Sequence, residues 1–272
     1  SVIAAGTAHI HVHEAGAVEA TGHKINTVAS LDGKLTRQLI ESVLNQHTDE
    51  HMVKPRAVFI SNSTELGTVY TRRDLEEVQR CCRKNGLFLY LDGARLGPAL
   101  ISKESDLSLA DIANLVDVFY IGGTKNGALF GEAIVINNKE VQAGFRYHMK
   151  QRGALLAKGR ILGAQFLGLF QNDLFYQLAW HANAMAERIA LCIQEHGYGF
   201  LTPPATNQVF PILPDRLIEN LKELYGFYIW TKVDAEHSAI RLVTSWATPA
   251  AVVDEFIQDF HRLAMSLEKT NS

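Results

Sequence analysis

A chain of 272 residues with a net charge of −3, 47% hydrophobic and 20% charged, buries roughly three quarters of its unfolded surface on folding and needs no disulfide or metal staples. No apolar run approaches the ~18 residues of a membrane-spanning helix, nothing reads as a basic-then-apolar signal peptide, and the near-neutral balance argues against nucleic-acid binding. Three cysteines, two of them the adjacent Cys81 and Cys82, make no disulfide framework and suit a reducing cytoplasm.

Ser1-Val2-Ile3 reads as the interior of a strand, so an upstream segment is expected to be missing. His9, His11 and His13 alternate as residues on one face of a strand do. The runs Arg56–Ile60, Leu87–Leu91, Asp117–Ile121 and Glu132–Ile136 read as buried strands, alternating with helices as in a parallel α/β sheet. Between the first two, Thr71 and Asp74 form a capping box, Leu75 and Val78 start an apolar stripe, and Gly86 supplies the stop. A second helix spans Ser108 to about Leu115. The basic residues Lys139, Arg146, Lys150, Arg152, Lys158 and Arg160 read as a solvated face, with an anion site as the sharper alternative. Two long helices follow, over 153–172 and 174–196. Then come Asn207–Leu213, a helix near 215–224, strands at 227–233 and 239–244, and a terminal helix. The division is expected at residues 1–155 for a large domain and 156–272 for a small α+β domain.

Two segments carry chemistry. Asp92-Gly-Ala-Arg95 follows a strand directly, which puts Asp92 at the carboxyl edge where open α/β sheets bind ligands. A partly desolvated carboxylate there wants a cation, either Arg95 or a protonated ring nitrogen of a cofactor. Gly122-Gly-Thr-Lys125-Asn-Gly127 follows the next strand, and its small residues let a ligand approach the backbone. The spacing is not that of a phosphate-binding P-loop. A desolvated lysine in that place has a depressed pKa and forms a Schiff base readily. Asp92 and Lys125 lie on consecutive strands, 33 positions apart, as needed to hold the two ends of pyridoxal 5′-phosphate.

Ala8-His9-Ile10 with Glu14-Ala-Gly-Ala17, then Asp92-Gly-Ala-Arg95, Lys125 and Ile240-Arg241-Leu-Val-Thr244, resemble in that order the low-specificity threonine aldolases. These belong to the threonine aldolase and β-eliminating lyase group of fold-type I pyridoxal-phosphate enzymes, and the likeness covers essentially the whole chain. The resemblance implies an aminotransferase-like α/β fold, N-terminally incomplete, with a mostly parallel sheet. It implies that Lys125 carries the Schiff base, Asp92 pairs with the ring nitrogen and His9 stacks on the ring. Arg95 and Arg241 would hold the substrate carboxylate, and Thr124 would offer its hydroxyl to the phosphate. His51, ahead of the strand at 56–60, would share with His9 the handling of the β-hydroxyl proton. The substrate implied is a β-hydroxy-α-amino acid, cleaved to glycine and an aldehyde, in a homodimer or homotetramer.

Two departures stand out. Thr64 occupies the turn position at which many of these aldolases carry histidine, and the family's upstream glycine- and threonine-containing phosphate loop is absent, so weak cofactor binding is expected. A β-eliminating lyase on the same cofactor is the alternative activity. More distant are a metal-dependent hydrolase built on His9, His11, His13, Glu14 and Asp92, and a non-catalytic relative binding a partner through residues 139–160.

Overall fold

The sequence reading gives a strand around residues 1–3 and four buried strands of a parallel sheet; the computed structural model, which describes residues 1–271, adds Ile25–Val28 and sets the last of the four antiparallel. β1 (Val2–Ala5), β2 (Ile25–Val28), β3 (Ala57–Ser61), β4 (Phe88–Asp92) and β5 (Val118–Gly122) run parallel, and β6 (Glu132–Ile136) pairs antiparallel with β5. Their order is β2-β1-β3-β4-β5-β6. The connections carry α1 (His9–Val12), α2 (Arg37–Asn45), α3 (Arg72–Lys84), α4 (Leu96–Leu100) and α5 (Leu109–Leu115). The Thr71–Asp74 capping box forms as read and opens α3, and the structure adds a second one, Ser108 with Asp111, at the start of α5. The face of α3 that carries Leu75, Val78, Cys81 and Cys82 is buried in the same apolar cluster as Ile3, Val58 and Leu89 from the sheet.

Three readings change. The His9–His13 segment is not a strand; it turns into the short helix α1, because β1 ends at Ala5. Glu132–Ile136 is a half-exposed edge strand rather than a buried one. The helix expected from 153 starts later, at Arg160, since Gly153 takes a left-handed φ of +72° and the chain turns first. After β6 come α6 (Lys139–Gln142), α7 (Phe145–Gln151), α8 (Arg160–Phe170) and α9 (Leu174–Glu195). The six basic residues of 139–160 are all exposed along these elements.

The small sheet is antiparallel around one central strand. β7 (Gln208–Val209), β8 (Ile212–Pro214) and β9 (Tyr228–Lys232) all pair with β10 (His237–Val243); α10 (Asp215–Lys222) packs against β8 and β10, and α11 (Ala250–Asn271) against α9 and α10. Sequence divides the chain at 155/156; beyond that point Leu169 and Phe175 are still buried in the core of the large sheet, with Phe166 and Leu178 packed against it. The second apolar cluster starts within α9, near Met185. Helix α9 therefore spans both cores.

Candidate active site

Parallel strands aim their carboxyl ends at one edge, so the turns after β1, β3, β4 and β5 gather there. Between that edge and strands β9 and β10 lies a cleft of about 1250 Å³, lined among others by His9, Glu65, Asp92, Arg95, Lys125 and Arg241. Chain order separates these residues widely. The sheet direction brings them together.

The turn after β4 is held by close backbone packing. A Cβ on Gly93 would sit 1.8 Å from the Tyr120 carbonyl oxygen, and one on Gly122 would sit 2.4 Å from that of Ala94. The Gly122 N–H donates to the Gly93 carbonyl at 2.8 Å, which locks the Asp-Gly-Ala turn against the end of β5. Gly93→Ala is expected to cost about 3 kcal/mol of stability, because backbone rather than a side chain must move. A fall in Tm together with lost activity checks it.

Asp92 Oδ1 accepts two hydrogen bonds, from the Ala94 N–H at 2.8 Å and the Tyr120 hydroxyl at 2.5 Å. Burial and the Asp92 charge hold the Tyr120 phenol well above its usual pKa, so it remains a donor. Among the described residues, the other oxygen of Asp92 has no partner. Its orientation is thus settled by one oxygen, which leaves the other without a protein donor.

Three cations line the cleft, and two of them, Lys125 and Arg95, feel the charge of that carboxylate. Lys125 sits on the 3-10 turn after β5, open to the cleft; desolvation, then the Arg95 charge, lowers its pKa. Half-buried Arg95 is pushed down to about 10 by burial and by Arg241, against the pull of Asp92. Neither Lys125 nor Arg95 has an ion-pair partner among the described residues. Arg241, on β10, donates from Nε and Nη2 to the side-chain Oε1 of Gln208 at 3.2 and 2.5 Å and lies 5.8 Å over the Trp230 ring. Its partner is neutral, so its charge also remains for an anion.

His9 lies at the start of α1. Its N–H donates to Glu65 Oε1 at 2.9 Å, and its Nδ1 is 2.7 Å from Glu14 Oε1. The His13 ring is 5.1 Å from that of His9, whereas His11 does not line the cleft. Among the described residues, no group of His, Cys, Asp and Glu is arranged to hold a metal ion. Two sequence candidates stand elsewhere. His51 is exposed in the turn before β3, hence at the opposite, amino-terminal edge of the sheet, with its N–H on Asp49. Thr124 is exposed and outside the cleft lining, although it neighbours Lys125. Thr64 is fully buried and held by Thr68 at 2.7 Å.

Sequence reasoning passes over Glu65, Tyr120, Gln208 and Trp230. Glu65 had a signal: it follows β3 as Asp92 ends β4. The others are placed by cross-strand and interdomain contacts alone.

The sequence profile of the beta-eliminating lyases matches residues 1–215. The low-specificity L-threonine aldolase of Pseudomonas aeruginosa is 35% identical over 268 residues, covering 97% of this chain and 76% of that one. That of Saccharomyces cerevisiae is 27% identical over 214 residues, covering 77% and 54%. A threonine aldolase structure from Leishmania major superposes with a TM-score of 0.94 at 45% identity, covering 97% of this chain and 77% of that one. The large parallel sheet and small antiparallel sheet are accordingly those of fold-type I enzymes. With its fold, its cleft and its sequence in agreement, this chain belongs to the threonine aldolase and beta-eliminating lyase family.

Proposed function

We propose that the chain cleaves the Cα–Cβ bond of a β-hydroxy-α-amino acid such as threonine to glycine and an aldehyde, using pyridoxal 5′-phosphate. The observation that carries this reading is the placement of Asp92 and Lys125 at the carboxyl ends of the adjacent parallel strands β4 and β5.

The residues of the cleft fit that cofactor. Asp92 keeps one oxygen for a protonated ring nitrogen, and the Lys125 amine has no ion-pair partner among the described residues to give up. Among the described residues, the buried hydroxyls of Thr7 and Ser63, both at the cleft, find no hydrogen-bond partner, as groups awaiting a ligand do. Asp92 would hold the ring nitrogen, Lys125 the aldehyde carbon, and His9 the ring face. When bound, the cofactor supplies an electron sink for the pair released at Cα.

The chain's own groups do the rest. Desolvation favours the neutral Lys125 amine, the form able to bond carbon. Arg241 and Arg95 bind and orient the substrate carboxylate; that contact removes the repulsion between two cations which burial already disfavours. Gln208 and Trp230 keep the Arg241 fork aimed. Arg241→Lys retains charge but loses the fork and the grip of Gln208. KM for threonine should rise by ~10- to 100-fold with kcat little changed, as steady-state kinetics will check.

The test of the whole reading is product analysis with threonine, allo-threonine and serine. Glycine and acetaldehyde in equal amounts from threonine support it. Ammonia and a keto acid instead would establish β-elimination on the same residues.

A further inference from the structure

We propose that Glu65 is the catalytic residue that takes the β-hydroxyl proton of the amino-acid substrate, an assignment resting on the aldol cleavage proposed above. Breaking Cα–Cβ toward an aldehyde requires a base at the β-oxygen. Sequence candidates for that base are His51 and His9. His51 stands at the opposite edge of the sheet, and the His9 ring is engaged by Glu14 at 2.7 Å. Among the carboxylates of the cleft, Asp92 is held by Ala94 and Tyr120. Glu132 binds the Gly123 N–H from the exposed edge strand β6.

Glu65 differs from all of these. It follows β3, next to β4 and Asp92, and it lines the cleft. Its Oε1 is fixed twice, by the Ser61 hydroxyl at 2.7 Å and the His9 N–H at 2.9 Å. Among the described residues, Oε2 has no partner. One oxygen therefore anchors the group while the other is available to substrate. The charged and titratable neighbours that act on it are Asp92 from β4, Arg241 from β10, His9 from α1 and Tyr70 from the loop before α3. Burial raises its pKa above the ordinary carboxylate range, which makes the ionised form a stronger base than a solvated glutamate.

The step balances on the substrate's own atoms. The β-hydroxyl gives its proton to Glu65 Oε2, and the O–H pair becomes the second bond of the aldehyde carbonyl. The Cα–Cβ bond breaks and leaves its pair with the Cα fragment. One proton returns to that carbon, so that glycine and aldehyde sum to the substrate.

Glu65→Gln tests this, because glutamine keeps the length and an acceptor for Ser61 and His9 but cannot accept a proton. Two reactions of the cofactor-loaded protein are compared: threonine cleavage, and exchange of the glycine Cα hydrogens with D₂O followed by proton NMR. The second needs the same binding groups and electron sink but no base at a β-oxygen. Cleavage should fall ~10²- to 10³-fold while exchange stays within about threefold. Wild-type kcat/KM should climb with pH through the raised Glu65 pKa, and that limb should vanish in the variant. Carboxyl carbon NMR of the chain without added cofactor should show Glu65 titrating above ordinary glutamates. Equal losses in cleavage and exchange would make Glu65 a support for His9, and unchanged cleavage would remove it altogether; either overturns the proposal. If glutamine prevents folding, Glu65→Asp replaces it, and cleavage must again fall far more than exchange. A wild type that exchanges glycine but releases no aldehyde overturns the aldolase reading, and this assignment with it.

Discussion

Lys125→Ala should leave a folded chain whose threonine cleavage is lower by ~10³-fold or more, the scale of losing a bond-forming group. Lys125 stands on a turn in the open cleft, and among the described residues it has no ion pair whose removal would leave a buried charge. The Tm should therefore change little while activity disappears. Borohydride reduction of the wild type with pyridoxal phosphate, followed by peptide mapping, should mark Lys125. Label on Lys24 or Lys150 would assign the lysine elsewhere.

Asp92→Asn should cost ~10²- to 10³-fold in kcat, the usual effect of removing one aligned electrostatic contact to a reacting group. The amide oxygen still accepts from the Ala94 N–H and the Tyr120 hydroxyl, so the turn after β4 should persist. What is lost is the negative charge toward the ring nitrogen. Thermal unfolding and turnover measured on one preparation separate the two effects. Near-normal kcat would take Asp92 out of the mechanism.

Much of the scaffold is readable because it is local. Strand ends at 56–60, 87–91, 117–121 and 132–136 each fall within a residue of those observed, since short apolar runs bounded by turn residues have few other solutions. The capping box of Thr71 and Asp74 is likewise a pair of side chains answering backbone groups three residues away. The alternating histidines misled for an equally local reason. Spacings of two and four suit a strand face, but the four also suits one helical turn, and the chain leaves the sheet at Ala5. His51 was misplaced although strand direction held the answer: a residue ahead of a parallel strand falls at the edge away from the site.

Residue order and residue type thus determined the α/β class, the strand-end positions of Asp92 and Lys125, and the family likeness carried by His9, Arg95 and Arg241. Each depends on contacts near in sequence, or on the shared direction of parallel strands. Only the tertiary structure decided which of these groups meet and what charges they feel. Tyr120 reaches Asp92 because β5 lies beside β4, Gln208 reaches Arg241 because β7 pairs with β10, and Glu65 meets His9 because β3 lies beside β1. Burial then moves the Lys125, Arg95 and Glu65 protonation equilibria, and burial is a property of the assembled cleft.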